Sequence, residues 1–196
     1  MFRSTFISGI VAALFLSAPA GAVIVESLPV AENGNPEAAF DRFRVRAATG
    51  DPQAQVYLAE LYQHGLGVSW DPNKAFSWYL KAAGQGDVTG MSSVGSAYFY
   101  GLGVPQDFVE AGGWYLKAAQ KGDQVAIDNL GQMYLKGDGV SRDPVQAYMW
   151  FTIGARMGND TSRKRGTQVR NGLTTLEIRR ALDLVNSKLS EFTLPH

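Results

Sequence analysis

Residues 51–86 read DPQAQVYLAELYQHGLGVSWDPNKAFSWYLKAAGQG, and this stretch decides the fold because the chain repeats it. Residues 87–122 and 123–158 align with it at a constant spacing of 36 residues, without insertion or gap. The residue types that recur in all three copies are those of Tyr62, Gly65, Gly67, Val68, Asp71, Ala75 and Trp78. A repeat of this length predicts a solenoid in which each unit packs only on its neighbours.

Each unit divides into two amphipathic helices. Helix A of the first unit is predicted over Pro52–His64, where apolar residues recur at spacings of three and four, and it ends where Gly65 can adopt a left-handed conformation. Asp71, followed by proline, is the predicted N-cap of helix B. In the second unit, Asp107 and Glu110 have the spacing of two caps that satisfy each other's free amides.

Both ends of the array depart from the repeat. Residues 35–50 match helix B alone, which predicts a half-repeat with one helix over residues 36–49. Residues 160–196 are predicted to form capping helices at about 161–170 and 175–190, followed by a tail, and a capping box from Thr174 to Glu177 opens the second helix. Such caps would cover the open edges of the array.

The first 22 residues have the pattern of a secretion signal. Arg3 precedes an apolar stretch of 13 residues, from Phe6 to Ala18, and small residues at Ala20 and Ala22 form a cleavage site. This stretch is shorter than the roughly 20 residues that span a bilayer, so we expect cleavage near Ala22 and a periplasmic or secreted product. Residues 23–34 have no periodicity and are predicted to be flexible.

The balance of charge gives no general affinity for nucleic acid. The chain has 18 basic and 18 acidic residues and no cysteine. The distribution is uneven, because residues 23–155 hold 9 basic against 14 acidic residues, whereas residues 156–180 hold 7 basic against 2 acidic residues. Within it, residues 163–170 are interpreted either as a solvated face of the capping helix that pairs with the acidic repeats or as a surface that contacts an anionic membrane or an acidic partner, and export makes nucleic acid the least expected partner.

The repeated unit resembles the Sel1-like repeat, a relative of the tetratricopeptide repeat. The resemblance covers about Pro36 to Asn159, and the third unit departs from it at Gly154, where the earlier copies have alanine, and at Asn159, which replaces a recurring aspartate. It implies an all-α, right-handed α-α superhelix of helix-turn-helix repeats. It further implies a concave surface, lined by the A helices, that binds other proteins.

The register of the repeat predicts which helix A residues face this concave side. We call them the A-helix face: Glu60, Gln63, His64, Ser96, Phe99, Tyr100, Gln132, Leu135 and Lys136. They vary between copies and mix aromatic with polar side chains, as expected of a peptide-binding surface. The alternative interpretation is an ordinary solvated face.

Catalytic and cofactor chemistry find no support in the sequence. The chain has two histidines, and no motif of a hydrolase or metalloprotease occurs in a suitable setting, so no catalytic residue, metal or cofactor is predicted. His64 is interpreted as a solvated cation at a helix C-terminus. The glycine loops follow helices, where free carbonyl groups repel phosphate, and Asp138 lacks the alternating ligands of a calcium loop.

The recurring tryptophans Trp78, Trp114 and Trp150 are predicted to be core residues, since they lie on the alanine-lined face of helix B. Trp70 has no tryptophan equivalent in the other copies and is expected to be exposed. The sequence thus predicts a non-enzymatic adaptor whose partners are envelope proteins. A cell-wall or β-lactam hydrolase and a membrane-surface binder remain as alternatives.

Overall fold

The computed structural model describes residues 35–192, and within this range it contains nine α-helices and no strand. The helices are α1 Pro36–Ala48, α2 Pro52–His64, α3 Pro72–Gly84, α4 Val88–Tyr100, α5 Phe108–Gln120, α6 Gln124–Lys136, α7 Pro144–Arg156, α8 Asp160–Arg170 and α9 Thr175–Leu189. From α1 to α8 each helix packs on the next one along the chain, and α9 returns to pack on α7. The predicted all-α helix-turn-helix superhelix is therefore confirmed. The predicted signal, residues 1–22, and the segment 23–34 lie outside the described residues.

The helix boundaries follow the local signals in the sequence. The bounds of α2 are those predicted for helix A, and Gly65 ends it with a left-handed φ of 64°. Asp71 caps α3 by accepting a hydrogen bond from the Lys74 amide at 3.0 Å. The predicted capping box is also present, since the Thr174 amide donates to the Glu177 carboxylate at 2.8 Å and the Glu177 amide donates to Thr174 Oγ1 at 3.3 Å.

The expected reciprocal cap between Asp107 and Glu110 does not form. Asp107 accepts from the Glu110 amide at 3.0 Å, but its own amide donates to the carbonyl of Tyr98, at 2.9 Å. The same bond joins Asp71 to Tyr62 and Asp143 to Tyr134. This contact ties the loop of each repeat to its helix A, and it uses the donor that the capping box would need.

The core of each repeat forms between small residues and one aromatic ring. The ring belongs to the position after the recurring tryptophan, or to its equivalent Phe43 in the half-repeat, and it is almost fully buried in every case: Phe43, Tyr79, Tyr115 and Phe151. Gly95 and Gly131 make room for two of these rings, because a Cβ there would lie 2.7 Å from the Tyr115 ring and 2.6 Å from the Phe151 ring. Alanines of the B helices and aliphatic side chains of the A helices, such as Leu58, Leu61 and Ile127, fill the rest of the interior.

The prediction that all three recurring tryptophans are core residues is wrong for two of them. Trp150 is 2% exposed, whereas Trp78 and Trp114 are half-buried and have the ammonium groups of Lys81 and Lys117 over their rings, at 3.7 and 4.0 Å. The difference arises because the C-terminal α9 covers α7, and the Phe192 ring stacks on Trp150 at 6.4 Å. As expected, Trp70 is exposed.

The loops bring successive repeats into direct backbone contact. Gly67 has a φ of 66°, and a side chain there would overlap the carbonyl of Pro36 at the start of α1. Gly103 and Gly139 meet Pro72 and Phe108, the first residues of α3 and α5, in the same way. The second loop glycine of each unit therefore sets how closely that unit approaches the preceding B helix.

The departures of the third unit make room for the C-terminal cap. A Cβ at Gly154 would lie 2.6 Å from the hydroxyl oxygen of Ser162 on α8, so an alanine would exclude this helix. Asn159 caps α8 by accepting from the Ser162 amide at 2.9 Å. The predicted capping helices are present, with α8 beginning one residue earlier and α9 ending one residue earlier than expected.

Candidate functional site

The nine residues of the A-helix face fall into three groups along the array. Glu60, Gln63, His64 and Ser96 line a cavity of about 120 Å³ between α2, α3 and α4. Phe99 and Tyr100 form an aromatic pair at the end of α4. Gln132, Leu135 and Lys136 of α6 line a second cavity, of about 310 Å³, together with Arg165, Gln168 and Val169 of α8.

The first cavity, which we call the Glu60 pocket, holds a carboxyl group that is largely buried. Glu60 is 8% exposed, and it forms no hydrogen bond or ion pair with any residue between 35 and 192. Burial raises the pKa of the Glu60 carboxyl group to about 7. Near neutral pH this group is therefore poised between a carboxylic acid that donates a hydrogen bond and a carboxylate that attracts a cation.

His64 lies in the same pocket, one helical turn after Glu60, and it is not the solvated cation that the sequence suggested. Its Nε2 atom is buried without a hydrogen-bond partner among the described residues, and burial lowers the pKa of its imidazole. The C-terminal carbonyls of a helix favour a charged histidine, but the loss of water outweighs that effect here. The pocket thus presents a neutral imidazole with one free nitrogen.

Residues that sequence reasoning missed complete the Glu60 pocket. Tyr79 on α3 and Thr89 and Ser93 on α4 also line it. Burial raises the pKa of the Tyr79 hydroxyl, and the nearby charge of Glu60 raises it further, so Tyr79 stays protonated. Tyr79 follows a recurring tryptophan and reads as a pure core residue, which is why the repeat pattern did not reveal its place at the pocket.

The Ser96 hydroxyl group in the Glu60 pocket is fixed by two hydrogen bonds. Ser96 Oγ accepts from the Tyr115 hydroxyl at 3.1 Å and donates to the carbonyl of Ser92 at 3.1 Å. A nucleophilic serine needs a base that removes its proton, and Ser96 directs its proton to a backbone carbonyl instead. The arrangement is suited to binding polar groups.

Phe99 and Tyr100 have different roles although they are neighbours. The Phe99 ring contacts those of Tyr100 and Phe108 at 5.0 Å and that of Tyr115 at 6.5 Å, so it helps to hold α5 against α4. Tyr100 is 53% exposed. Tyr100 is therefore the side chain of this pair that can bind a partner without loss of packing.

A buried carboxylate fastens the last part of the face to the C-terminal cap. Asp128 on α6 accepts hydrogen bonds from Gln132 Nε2 and from Ser162 Oγ, each at 3.0 Å, and it forms an ion pair with Arg165. Asp128 occupies the position of the buried Val56 in the first unit. A charged residue at a core position of the repeat is thus the sequence signal for this network.

The basic segment 156–180 is partly neutralised within the protein. Arg165 pairs with Asp128 of the repeats, and Arg163 pairs with Asp160 of its own helix at 2.5 Å. The first of these pairs fits the interpretation that the basic segment packs against the acidic repeats. Across residues 35–192, no helix is long and apolar enough to cross a bilayer, and no three acidic or histidine side chains are grouped as a metal site would require.

The fold and this face define a helical-repeat scaffold, a class of protein that presents one surface built from successive A helices. The Sel1 repeat model matches residues 52–87, 89–123 and 124–159, which lie within two residues of the predicted units. These matches cover more than half of the chain, which therefore belongs to the Sel1 repeat family. Solenoids of this family generally bind other proteins and are generally not catalysts.

Two of the solved structures that are similar to this chain show how far the likeness extends. A Sel1 repeat protein from Oxalobacter formigenes shares 35% identity over 68% of this chain and 55% of its own, with a TM-score of 0.66. A protective antigen of uropathogenic Escherichia coli strains, which has an SLR fold, shares 27% identity over 87% of this chain and 44% of its own, with a TM-score of 0.53. The chain thus spans about half of each protein. Comparison with curated proteins gives no match.

Proposed function

We propose that this protein is an exported adaptor that binds an envelope protein through its A-helix face. The partner would lie along α2, α4 and α6, contacting the Glu60 pocket, the exposed Tyr100 ring and the cavity beside Lys136. Membership of a family of protein-binding solenoids supports the general role. The apolar stretch and small-residue cleavage site in residues 1–22 support export.

The observation that carries this proposal is a largely buried carboxyl group beside an unpaired imidazole nitrogen in the Glu60 pocket. The great majority of buried polar groups in native proteins have a hydrogen-bond partner, and leaving one unpaired costs about 1–3 kcal/mol. His64 Nε2 lacks a partner among residues 35–192, and Glu60, which is 8% exposed, lines the same cavity. A partner that supplies a hydrogen-bond donor to His64 Nε2 and a polar group to Glu60 would recover this cost, which favours binding at this place.

Affinity capture tests the adaptor function. The baits are the native chain and its variants, each isolated from the protein's own organism, and each is exposed to an extract that contains the envelope proteins. Tyr100→Ala and Glu60→Gln are the variants that change the A-helix face. Leu176→Ala is the matched control, because Leu176 is 75% exposed on α9, away from the face. We expect one protein to be retained by the native chain and by the control, and each face variant to bind it at least about tenfold more weakly. Equal retention by all four baits would exclude this face.

Export has a separate test. Sequencing the N-terminus of the protein isolated from the cell envelope or the medium should yield Val23 as the first residue. A protein that retains Met1 and stays in the cytoplasm would contradict the proposed location, but it would leave the proposed binding face standing.

A further inference from the structure

Helix α5 contains two adjacent glycines in its interior, although glycine there lowers the stability of a helix. Gly112 and Gly113 lie in the middle of this helix, and neither has the positive φ that glycine alone readily adopts. Glycine in a helix interior costs about 1 kcal/mol relative to alanine because it leaves the unfolded chain with more freedom. A pair of them therefore needs a separate explanation.

Packing inside the chain does not supply this explanation. A side chain at Gly95 or Gly131 would collide with a buried aromatic ring, as described above. A Cβ at Gly113, in contrast, would meet no atom within 4 Å, and one at Gly112 would meet only the end of the Met133 side chain, with its Cε at 3.1 Å, which a small shift of this flexible side chain relieves. The two glycines of α5 thus leave space that no other part of the described chain occupies.

The other copies of the repeat show what this space holds. Gly112 aligns with Phe40 and Phe76 at the 36-residue spacing. The rings of these two residues meet the recurring tyrosines Tyr62 and Tyr98 edge-on, with centroids 5.5 and 5.4 Å apart and interplanar angles of 88° and 86°. The next tyrosine in the series is Tyr134, and no ring from residues 35–192 lies against it.

A cavity of about 430 Å³ lies at this position, between α5, α6, α7 and α9. We call it the Gly112 pocket, and its apolar wall includes the side chains of Leu116, Leu130, Met133, Tyr134, Met149 and Trp150. The indole N–H of Trp150 is buried and lacks an acceptor among the described residues. The Lys188–Glu191 ion pair, at 2.7 Å, lies at the rim.

We propose that the Gly112 pocket is a binding site for one aromatic side chain of a partner protein, seated edge-on against Tyr134. The occupant takes the place that Phe40 and Phe76 fill for the two preceding tyrosines. The pocket shares no residue with the A-helix face, so this inference is independent of the function proposed above.

Methyl NMR of the full chain labelled at methionine tests the site. Met133 and Met149 line the pocket, whereas Met91 and Met157 do not and act as internal controls. The probe is N-acetyl-phenylalanine amide, with N-acetyl-leucine amide as the aliphatic comparison. We expect saturable shifts of the Met133 and Met149 methyl signals, with an affinity for the aromatic probe at least about threefold higher, since edge-on ring pairs gain energy beyond burial. Absent shifts, or equal affinities for the two probes, would overturn the proposal.

Variants separate the pocket from a general effect on α5. Gly112→Phe supplies the missing ring from within the chain, so it should abolish the response to the probe without lowering the melting temperature. Should that variant fail to fold, Gly112→Leu blocks the cavity with a smaller side chain and should have the same effect on binding. Gly84→Ala is the control, because it removes a helical glycine whose Cβ would meet no atom within 4 Å. Unchanged binding to Gly112→Leu would also overturn the proposal.

The tail of the chain is the competing occupant, since the described residues end at Phe192, next to the rim. A stop codon at residue 193 tests it. If the probe binds only after residues 193–196 are removed, the pocket belongs to the chain's own tail and the proposal of a partner is wrong. Equal binding with and without these residues supports the partner.

Discussion

Burial of a single carboxyl group makes the stability of this protein depend on pH. A pKa raised from 4.5 to about 7 at Glu60 corresponds to about 3 kcal/mol. Because the folded state holds the proton more tightly than the unfolded state, this contribution is fully present below pH 4.5 and is lost as the pH rises to about 7. His64, whose pKa is lowered, acts in the opposite direction, and its contribution is gained as the pH rises.

The variant Glu60→Gln isolates the contribution of Glu60 to the pH dependence of stability. Glutamine keeps the size of the side chain and does not titrate, so the variant should match the native chain near pH 4.5 and exceed its free energy of unfolding by up to about 3 kcal/mol at pH 8. Denaturant unfolding at a series of pH values measures the difference in free energy of unfolding between the variant and the native chain. The contribution of His64 cancels in this difference because both proteins contain it. Glu110→Gln, at an exposed glutamate, is the control. A difference that does not change with pH would contradict the burial of a protonated Glu60.

Trp114 and Trp150, which occupy equivalent positions of the repeat, should contribute differently to the free energy of unfolding. Trp150→Ala is expected to cost about 3–5 kcal/mol, because it leaves a cavity beneath α9. Trp114→Ala should cost about 1–2 kcal/mol, since this half-buried ring has less surface to lose. Guanidinium unfolding of both variants measures the free energies. Equal losses would mean that α9 does not cover the third repeat as described.

At the scale of the helix, the sequence predicts what depends on near neighbours along the chain. The bounds of α2 and the box that opens α9 were correct, since caps and amphipathic spacing determine them locally. The reciprocal cap of Asp107 was wrong because Tyr98, nine residues earlier, takes the amide. The half-burial of Trp114 was missed because it depends on which helix lies above.

The candidate site was predicted only in part, for the same physical reason. Periodicity placed Glu60 and His64 on one face of a helix, and they do line one cavity. How far that cavity excludes water depends on α3 and α4 together, which periodicity within one helix does not describe. The burial that gives both residues their altered pKa values therefore emerged only from the packed structure.

Asp128 on α6 holds α8 in place, so replacing Asp128 should detach α8 from the repeats. Asp128→Ala leaves the hydroxyl of the fully buried Ser162 without its acceptor, which costs about 1–3 kcal/mol, and it unpairs Arg165, whose side chain is 37% exposed and is solvated by water instead. We expect a loss of this size in urea unfolding, with faster amide exchange in α8. Asp160→Ala, which removes only the exposed partner of Arg163, should cost less than about 1 kcal/mol. Similar losses in the two variants would exclude the network as the attachment.

At the scale of the whole molecule, the core is divided. A small cluster around Phe43 and Leu58 joins α1 to α2, while a second, larger cluster extends from Val56 to the C-terminal cap. Because each unit of a solenoid contacts only its neighbours, the units at the ends can unfold separately from the rest. The half-repeat is therefore held by fewer buried groups than the central repeats.

Native-state hydrogen exchange should reveal this division. Amides of α1 are expected to exchange through an opening that needs less free energy than global unfolding, whereas those of α5 and α6 should exchange only when the whole protein unfolds. Phe43→Ala should widen the gap, because it removes the largest buried side chain of the smaller cluster. A single opening energy for all helices would show that the array unfolds as one unit.

The three backbone contacts made by Gly67, Gly103 and Gly139 have a consequence for how such a chain can grow. Each contact joins equivalent positions, the second loop glycine of one unit and the first residue of the preceding B helix, so the joints are interchangeable. Duplication of one 36-residue segment of the gene would add a further A helix to the row without disturbing either terminus. In this architecture the length of the binding surface is a countable trait, inherited in whole steps, whereas its chemistry changes one side chain at a time.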